Sequence, residues 1–451
     1  MELENVNRVF LIGVGGIGMS GLARYFKHRG KDVCGYDKTS TPLTDALQSE
    51  GIPVFFMDEA AQIPVQFLEN DPGTLVIYTP AIPKESGILN YFRNSDFPIK
   101  KRSEVLGIIS KGMFTIAVAG THGKTTTSSI IAHILKDSGN DCSAFLGGIA
   151  SNYHTNILFG TNDVMVVEAD EYDRSFLTLH PDIAIVTSMD ADHLDIYGDA
   201  ASLTESFQLF TEQLKPGGIL LNRKGLDLRK GLTYAANEEA AIMAQNIRVE
   251  SGSFWFDFKN QSVTIENIKM LLPGQHNIEN AVAAIEVALL LKIPVEKIRA
   301  ALANFKGVKR RFEYIVKKEA HIYIDDYAHH PEELRACITA VKTLYPDKKL
   351  CTIFQPHLFS RTRDFADGFA EVLALTDELI LLDIYPAREL PIEGVNSPML
   401  MDKIWIDNKK ILSKQGTLDH IRKEMPELLL TVGAGDIDTL VKPLQNMLEN
   451  A

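Results

Sequence analysis

The sequence has little cysteine and no long apolar run. Its four cysteines are scattered over 451 residues and give neither metal-ligand spacing nor a disulfide framework, so we expect buried free thiols. The first apolar run, residues 9–14, is too short for a signal sequence or a membrane span. These absences predict a cytoplasmic protein. The cysteines are Cys34, Cys142, Cys337 and Cys351.

Basic residues are outnumbered. Lys and Arg total 46 against 59 Asp and Glu, and the resulting net charge of -13 opposes non-specific binding to nucleic acids or anionic membranes. The hydrophobic fraction of 45% and the charged fraction of 23% are ordinary for a globular protein, so we expect the whole chain to fold. A chain of this length is expected to form about three domains.

Short β-branched runs alternate with helical patterns along most of the chain, which is typical of an α/β fold with parallel sheets. A new strand starts at Phe114, and the polar, basic residues 306–313 resemble a linker. We therefore predict three α/β domains, at residues 1–111, 112–311 and 312–451. Residues 253–268 predict antiparallel strands, residues 277–291 predict an alanine-rich buried helix, and the third domain is expected to have parallel strands.

A glycine motif lies close to the amino terminus. Residues 13–18 (GVGGIG) fit the pattern G-x-G-x-x-G, follow a strand and open a helix, and Asp37 ends the next strand. The glycines allow close backbone approach, and the helix N-H groups can hold a diphosphate. The pattern alone would indicate NAD, but the same geometry serves any nucleotide diphosphate. A purely structural turn is the alternative.

A second glycine-rich segment, residues 120–127 (GTHGKTTT), connects a strand to a helix. In such a phosphate loop the backbone wraps the phosphates, Lys124 reaches the β- and γ-phosphates, and Thr125 binds Mg²⁺. The segment is shorter than G-x-x-x-x-G-K-T, because Val118 stands where the first glycine is expected. By itself this loop predicts binding of ATP or GTP.

Two acidic segments, residues 168–173 and 190–195, each follow a predicted strand. Parallel strands end at the same edge of a sheet, so both segments should lie beside the phosphates. Their oxygens suit Mg²⁺, which needs only one or two protein ligands when phosphates bind it too. A solvated acidic surface is the alternative.

Five segments together resemble the Mur ligase family, over nearly the whole chain: residues 120–127, 168–171 (EADE), 192–195 (DHLD), 276–281 (HNIENA) and 325–331 (DDYAHHP). The resemblance implies a Rossmann-like amino-terminal domain for the UDP-sugar, a central P-loop domain that binds ATP and a Rossmann-like carboxy-terminal domain. It also implies an ADP-forming ligase that joins an amino acid to a UDP-sugar carboxylate through an acyl phosphate. The first glycine motif would then hold a UDP diphosphate and not NAD.

The resemblance assigns residues to each ligand. The implied UDP-sugar contacts are Gly15, Gly16, Ile17, Gly18, Asp37, Thr79, Ala81, Ile82 and Asn156. The implied ATP contacts are Gly120, Thr121, His122, Gly123, Lys124, Thr125, Thr126, His276, Asn280, Asp326 and His329. The implied ligands of two magnesium ions are Thr125, Glu168 and His193. No lysine occurs between His193 and Lys215, so the carbamylated lysine of some relatives is absent.

Within the family, residues 15–19, 325–331 and 354–357 are similar to the branch that adds L-alanine to UDP-N-acetylmuramate. The implied amino-acid pocket consists of Tyr327, His357 and Arg361, with Arg361 as the counter-ion of the substrate carboxylate. The implied catalytic residues are Lys124, His193, His357 and Arg361. Two positions depart from the usual pattern. Leu358 replaces an arginine and His154 replaces a glycine.

Three other functions stay open at this point. A recycling ligase that attaches murein tripeptide to UDP-N-acetylmuramate shares much of the pattern. A dehydrogenase would use the first glycine motif but leaves Lys124 without a role. A nucleotide-sensing module would need the phosphate loop without the pocket around Arg361. The small-molecule partners expected for the ligase are UDP-N-acetylmuramate, L-alanine and ATP, with Mg²⁺ as the metal and with neither nucleic acid nor membrane.

Overall fold

The computed structural model describes residues 3–68, 73–190, 197, 199–250, 252–387 and 389–450. The chain divides into two compact units. Within the described residues the strands form three sheets, which confirms the predicted α/β class. No helix in the described ranges is long and apolar enough to cross a membrane. The first unit comprises Met1–Ala244, Phe258–Ile265 and Glu279–Leu302, and the second comprises Gln245–Asp257, Glu266–Ile278 and Ala303–Ala451.

The first sheet is entirely parallel, with the strand order β3-β2-β1-β4-β5. The order reverses beside β1, and ligands of open α/β sheets bind at such a switch point. The glycine motif follows β1 directly and therefore lies there. The strands of this sheet are β1 (Arg8–Ile12), β2 (Asp32–Tyr36), β3 (Val54–Phe55), β4 (Thr74–Tyr78) and β5 (Ile99–Lys101). The helices of this part of the chain are α1 (Ile17–His28), α2 (Pro42–Ser49), α3 (Gly87–Arg93) and α4 (Arg102–Lys111).

The second sheet has the strand order β15-β14-β13-β12-β11-β10-β6-β9-β7-β8, with β8 antiparallel to β7. Strand β6 lies between β10 and β9, and all three are parallel. The loops that follow these strands therefore meet at one edge. The strands are β6 (Phe114–Ala119), β7 (Ser143–Ala150), β8 (Thr155–Leu158), β9 (Val164–Ala169), β10 (Ile183–Val186), β11 (Ile219–Arg223) and β12 (Leu232–Ala236), and the helices are α5 (Lys124–Asp137) and α6 (Ala200–Glu212).

Three further strands extend the second sheet beyond β12, and two helices follow them in the chain. Phe254, Phe256 and Phe258 are buried, as expected for core residues. The predicted alanine-rich helix is present as α7. These elements are β13 (Ile242–Glu250), β14 (Ser253–Lys259), β15 (Thr264–Met270), α7 (Gln275–Leu290) and α8 (Val295–Asn304).

The third sheet lies in the second unit and has the order β16-β17-β21-β18-β19-β20. The expectation of parallel strands is confirmed for β17, β18, β19 and β21. At the edge of the sheet β16 is antiparallel to β17, the next strand in the chain. The predicted domain boundaries at residues 111 and 311 stay predictions. The strands are β16 (Glu313–Lys317), β17 (Ile322–Asp326), β18 (Leu350–Phe354), β19 (Glu378–Leu381), β20 (Lys409–Ile411) and β21 (Leu428–Val432), and the helices are α9 (Pro331–Leu344), α10 (Phe359–Asp364), α11 (Ala366–Leu373), α12 (Ser397–Lys403), α13 (Lys414–Glu424) and α14 (Val441–Glu449).

Candidate active site

Two glycines of the phosphate loop have backbone angles that L-residues rarely adopt. The φ angle is +139° at Gly120 and +82° at Gly123. A Cβ atom on Gly120 would lie 2.1 Å from Thr187 Oγ1, and one on Gly123 would lie 2.8 Å from Asn280 Oδ1. Both positions therefore require glycine for conformation and for space.

The loop is held by the residues that follow β10. The Thr187 hydroxyl donates to the backbone oxygens of Ala119 and His122, and Ser188 Oγ accepts a hydrogen bond of 2.6 Å from the His122 N-H. Thr121 and Ser188 share a further hydroxyl bond of 2.9 Å. Sequence reasoning missed Thr187 and Ser188, although their position directly after a buried strand was an available signal.

Lys124 opens α5, and its ammonium group is surrounded by acceptors. Nζ donates to the backbone oxygen of Gly120 at 2.6 Å and lies 2.8 Å from Glu171 Oε2. Burial opposes the charged form of Lys124, but the carboxylates of Glu171, Glu168 and Asp170 raise its pKa. Lys124 is therefore a permanent cation in the loop. The sequence placed the acidic segment 168–173 beside the phosphates but gave Glu171 no role of its own.

A hydrogen bond between α5 and α7 lies directly behind the phosphate loop. Asn280 Oδ1 accepts a bond of 3.0 Å from the Thr127 hydroxyl, and Asn280 is buried. The structure thus places Asn280 beside the phosphate loop, where the sequence predicted it. Thr125 and Thr126 are buried in the first turn of the same helix.

Glu168 lies at the end of β9, the neighbour of β6. Its Oε2 accepts a bond of 3.0 Å from the Gly147 N-H, and a Cβ on Gly147 would lie 2.2 Å from Oε1. The described residues contain no group of three or more His, Cys, Asp or Glu that could hold a metal by themselves. A carboxylate and the Thr125 hydroxyl nevertheless fit Mg²⁺, which takes oxygen ligands and keeps waters and phosphates. His193, the other predicted ligand, lies outside the described residues.

The carboxylate of Asp37 lies next to the amino-terminal glycine turn. The Gly15 N-H donates to Asp37 Oδ2 at 2.8 Å. Gly13 has a φ angle of +87°, and a Cβ there would lie 2.8 Å from Thr79 Cγ2 and 3.0 Å from Ile82 Cδ1. The structure therefore brings three predicted UDP-sugar residues to the turn. Gly16 and the exposed Ala81 belong to the same two loops.

A cleft of about 100 Å³ lies within the first unit, between the glycine turn and Glu168. Arg102 supplies its positive charge. A Cβ on Gly18 would lie 2.3 Å from Arg102 Nη1, and Arg102 Nη2 lies 3.5 Å from Asp170 Oδ2. Sequence reasoning missed Arg102, which is the first residue of α4. The cleft is lined among others by Ile17, Gly18, Arg102, Phe145, Asn156 and Glu168.

Asn156 lines this cleft but uses its amide to hold α1. Its Nδ2 donates to the Ile17 oxygen at 2.5 Å, and its Oδ1 accepts from Arg24 Nη1 at 2.9 Å. A contact of Asn156 with the UDP-sugar stays a prediction. His154, two residues earlier, has a φ angle of +56°, which explains why glycine suits this position in the family pattern.

The second unit contains a separate polar cluster. The rings of His329 and His357 meet edge to face with centroids 5.9 Å apart, and Tyr327 lies 5.3 Å from His329. Arg361 is 8% exposed, and its Nη1 lies 3.5 Å from His357 Nδ1. The structure thus brings the predicted residues Tyr327, His357 and Arg361 into one cluster with His329, and a role of this cluster in amino-acid binding stays a prediction. Tyr385, which stacks on His357, is an addition that the sequence did not indicate.

Two further predicted residues lie in the second unit. Asp326 accepts bonds from the backbone N-H groups of Phe312 and Ala328, and burial raises its pKa to about 6. Burial lowers the pKa of His276 to about 4, partly against the effect of Glu333. A role of Asp326 and His276 in nucleotide binding stays a prediction.

Leu358 separates His357 from α10. Its φ angle is +70°, a region in which a leucine is strained. The residue that departs from the family pattern therefore occupies an unusual backbone conformation between His357 and α10. The backbone bond from Leu358 N to the Tyr385 oxygen, at 2.9 Å, holds this segment in place.

Comparison with known protein families finds three matches along the chain. Residues 8–113 match the domain described as "Mur ligase family, catalytic domain". Residues 118–288 match "Mur ligase middle domain", and residues 310–437 match "Mur ligase, glutamate ligase domain". Together the three matches cover most of the chain.

Whole-length similarities agree with these matches. The chain is 52% identical to the UDP-N-acetylmuramate--L-alanine ligase of Flavobacterium psychrophilum over 450 residues, which covers 100% of both chains. The crystal structure of the UDP-N-acetylmuramate-alanine ligase of Thermotoga maritima has a TM-score of 0.81 and 27% identity over 98% of each chain. A murein peptide ligase of Psychrobacter arcticus shares the fold, with a TM-score of 0.70 and 22% identity over 98% of this chain and 99% of its own.

Proposed function

Because the chain belongs to the Mur ligase family, we propose that it joins L-alanine to the lactyl carboxylate of UDP-N-acetylmuramate in an ADP-forming reaction of peptidoglycan precursor synthesis. One observation carries the proposal beyond the family. The cleft of the first unit is lined by Ile17 and Gly18 of the glycine turn and by Glu168, whose charge acts on Lys124 of the phosphate loop. A site for an anionic sugar nucleotide thus adjoins a site for ATP.

The reaction activates a carboxylate, which is a poor electrophile. A lactyl carboxylate oxygen attacks the γ-phosphorus of ATP, the bond from that phosphorus to the β,γ-bridging oxygen breaks, and ADP leaves. The alanine amine then attacks the acyl carbon, phosphate leaves, and the amine loses a proton as the amide forms. The protein has to orient the reactants and neutralise charge, and it needs no nucleophilic side chain.

The residues of the first unit have separate tasks in this scheme. Lys124 and the N-H groups of the loop bind the β- and γ-phosphates. Mg²⁺, when bound, neutralises phosphate charge, and Thr125 and Glu168 would hold it together with the predicted His193. Arg102 attracts the anionic donor into the cleft.

The second unit selects the amino acid. Arg361 is nearly buried beside His357, and a guanidinium group in that position forms a bidentate pair with a carboxylate. The small side chain of alanine then faces Tyr327 and His329. ATP and a UDP-sugar as substrates are consistent with a cytoplasmic enzyme, which is the location that we propose.

The test is ADP release with ATP, Mg²⁺ and UDP-N-acetylmuramate, with L-alanine, L-serine, glycine or murein tripeptide supplied in turn. We expect the highest kcat/KM with L-alanine, and a product whose mass exceeds that of the donor by one alanine less water. Faster turnover with the tripeptide would assign the chain to the recycling branch. A chain that binds ATP but releases no ADP with any acceptor would be a nucleotide-sensing module.

A further inference from the structure

The ammonium group of Lys124 already has three acceptors within the protein. It donates to the backbone oxygens of Gly120 at 2.6 Å and Thr121 at 3.4 Å, and to Glu171 Oε1 at 3.0 Å. An ammonium group has three donor hydrogens. A phosphate oxygen can therefore bind Lys124 only if one of these bonds is given up.

Glu171 cannot reach a substrate directly. Its side chain is 1% exposed, whereas that of Lys124 is 14% exposed, so a nucleotide can approach the lysine but not the glutamate. The backbone oxygen of Glu171 accepts a bond of 2.5 Å from the Tyr197 hydroxyl, which fixes the segment after β9. The contact that links Glu171 to the nucleotide site is therefore its ion pair with Lys124.

We propose that Glu171 is a positioning residue that holds the Lys124 ammonium before nucleotide binds and is exchanged for a phosphate oxygen when it does. The inference rests on the proposed ATP site and goes beyond it, because it makes Glu171 a competitor of the nucleotide. The competition has a physical basis. The Glu171 carboxylate and a phosphate oxygen are both anions that bind the same ammonium group. Removal of the carboxylate should therefore strengthen the binding of the phosphate.

The direct test is the affinity of the full-length chain for ADP in the presence of EDTA, measured by calorimetry. Glu171→Gln keeps the shape of the side chain but removes its charge. In the free variant Lys124 loses its main counter-ion, whereas in the complex the phosphate replaces it. We therefore expect the Kd for ADP to fall by about tenfold.

Thermal unfolding gives a second readout that a purely structural role would not produce. The Tm of free Glu171→Gln should fall below that of the wild type, and saturating ADP should close most of this gap, because the ligand restores the missing negative charge. An equal loss of Tm with and without ADP would overturn the proposal. So would ADP affinity that is unchanged or weaker.

Matched variants show whether the effect belongs to the pair of Glu171 and Lys124. Glu286→Gln changes another buried glutamate of the first unit, which is bonded to Asn260, and should leave ADP affinity unchanged. In a Lys124→Ala background Glu171→Gln should also have no effect on ADP affinity. If Glu171→Gln does not fold, Glu171→Asp retracts the carboxylate and should tighten ADP binding to a smaller extent.

The outcome is distinguishable from a failure of the proposed function. If the wild-type chain binds ADP but does not ligate alanine, the ligase assignment fails and the exchange at Lys124 can still be measured. If Glu171→Gln leaves metal-free ADP affinity unchanged but raises the Mg²⁺ requirement, Glu171 belongs to the metal site and the proposal is wrong.

Discussion

The two compact units concentrate different kinds of charge at their predicted sites. In the first unit Lys124 and Arg102 face the carboxylates of Glu168, Asp170 and Glu171. In the second unit the candidate site is built mainly from histidine rings beside arginines, the buried Asp326 and the partly buried Glu333. These residues are His276, Arg311, Asp326, His329, Glu333, His357 and Arg361.

This difference indicates a division of work. Phosphates carry charge at every physiological pH, so a lysine with a raised pKa is a suitable partner. An amino acid must instead be oriented by its carboxylate, for which the buried guanidinium of Arg361 is a suitable partner. The first unit should therefore govern nucleotide requirements, and the second should govern amino-acid selection.

The largest effect should come from Lys124→Ala. Loss of the ammonium group removes charge stabilisation at the transferred phosphate, and we expect kcat for alanine-dependent ADP release to fall by at least about 10³-fold. Binding of UDP-N-acetylmuramate, measured by calorimetry, should be retained. Lys111→Ala, at an exposed position of the same unit, is the control and should keep full turnover. Full turnover of Lys124→Ala would contradict the assignment of the loop.

Gly120→Ala should destabilise the first unit by about 2 to 4 kcal/mol, because its Cβ would overlap Thr187 Oγ1 at a φ angle of +139°. Urea unfolding measures the change. Gly139→Ala is a matched control, since Gly139 also has a positive φ angle but has nothing within 4 Å of the added Cβ. Equal losses for the two variants would show that backbone conformation, and not the close contact, fixes glycine in the loop.

Arg361→Lys should act on the amino acid alone. A lysine keeps the charge but loses the bidentate geometry, so KM for alanine should rise by about 10- to 100-fold while KM for ATP is unchanged. Steady-state kinetics with each substrate varied in turn measures both. Arg363→Lys, on the same helix and more than half exposed, should change neither. A rise in KM for ATP would break the proposed division between the units.

The smallest effect concerns the pH dependence of stability. The pKa of His276 is lowered to about 4 by burial, with Arg311 lowering it further and Glu333 opposing, so the folded chain keeps this ring neutral. Its contribution is present above pH 6.5 and is lost as the pH falls towards 4. On acidification the free energy of unfolding should therefore decrease by about 1 to 2 kcal/mol less in His276→Asn than in the wild type. Urea titrations at pH 8 and pH 4.5 compare the two, and parallel losses would exclude His276 as the cause.

The sequence was most informative where a residue type is required by local backbone geometry. Gly13, Gly120 and Gly123 have the positive φ angles that a glycine turn needs, and the strand before each turn was readable from its apolar residues. The α/β class and the alanine-rich helix α7 followed from periodicity. The resemblance added Asn280 and the cluster around Arg361, which lie far apart in sequence.

The contacts that the sequence did not predict depend on the order of the strands in the sheet. Thr187 and Ser188 support the loop because β10 is the neighbour of β6, and Glu171 reaches Lys124 because β9 is the other neighbour. Arg102 lines the cleft from the start of α4, the helix that follows the last strand of the first sheet. Single-sequence patterns identify elements but do not order them, so the sequence could place these residues after strands but could not give their partners.

The buried cysteines give the chain a built-in reporter of local opening. Cys34 and Cys142 belong to the first unit, Cys337 and Cys351 belong to the second, and burial raises the pKa of all four thiols. A thiolate-seeking reagent can therefore modify them only when the surrounding structure opens. Mass spectrometry of the labelled peptides would time the opening of each unit separately, in the unmodified protein and with each substrate added in turn.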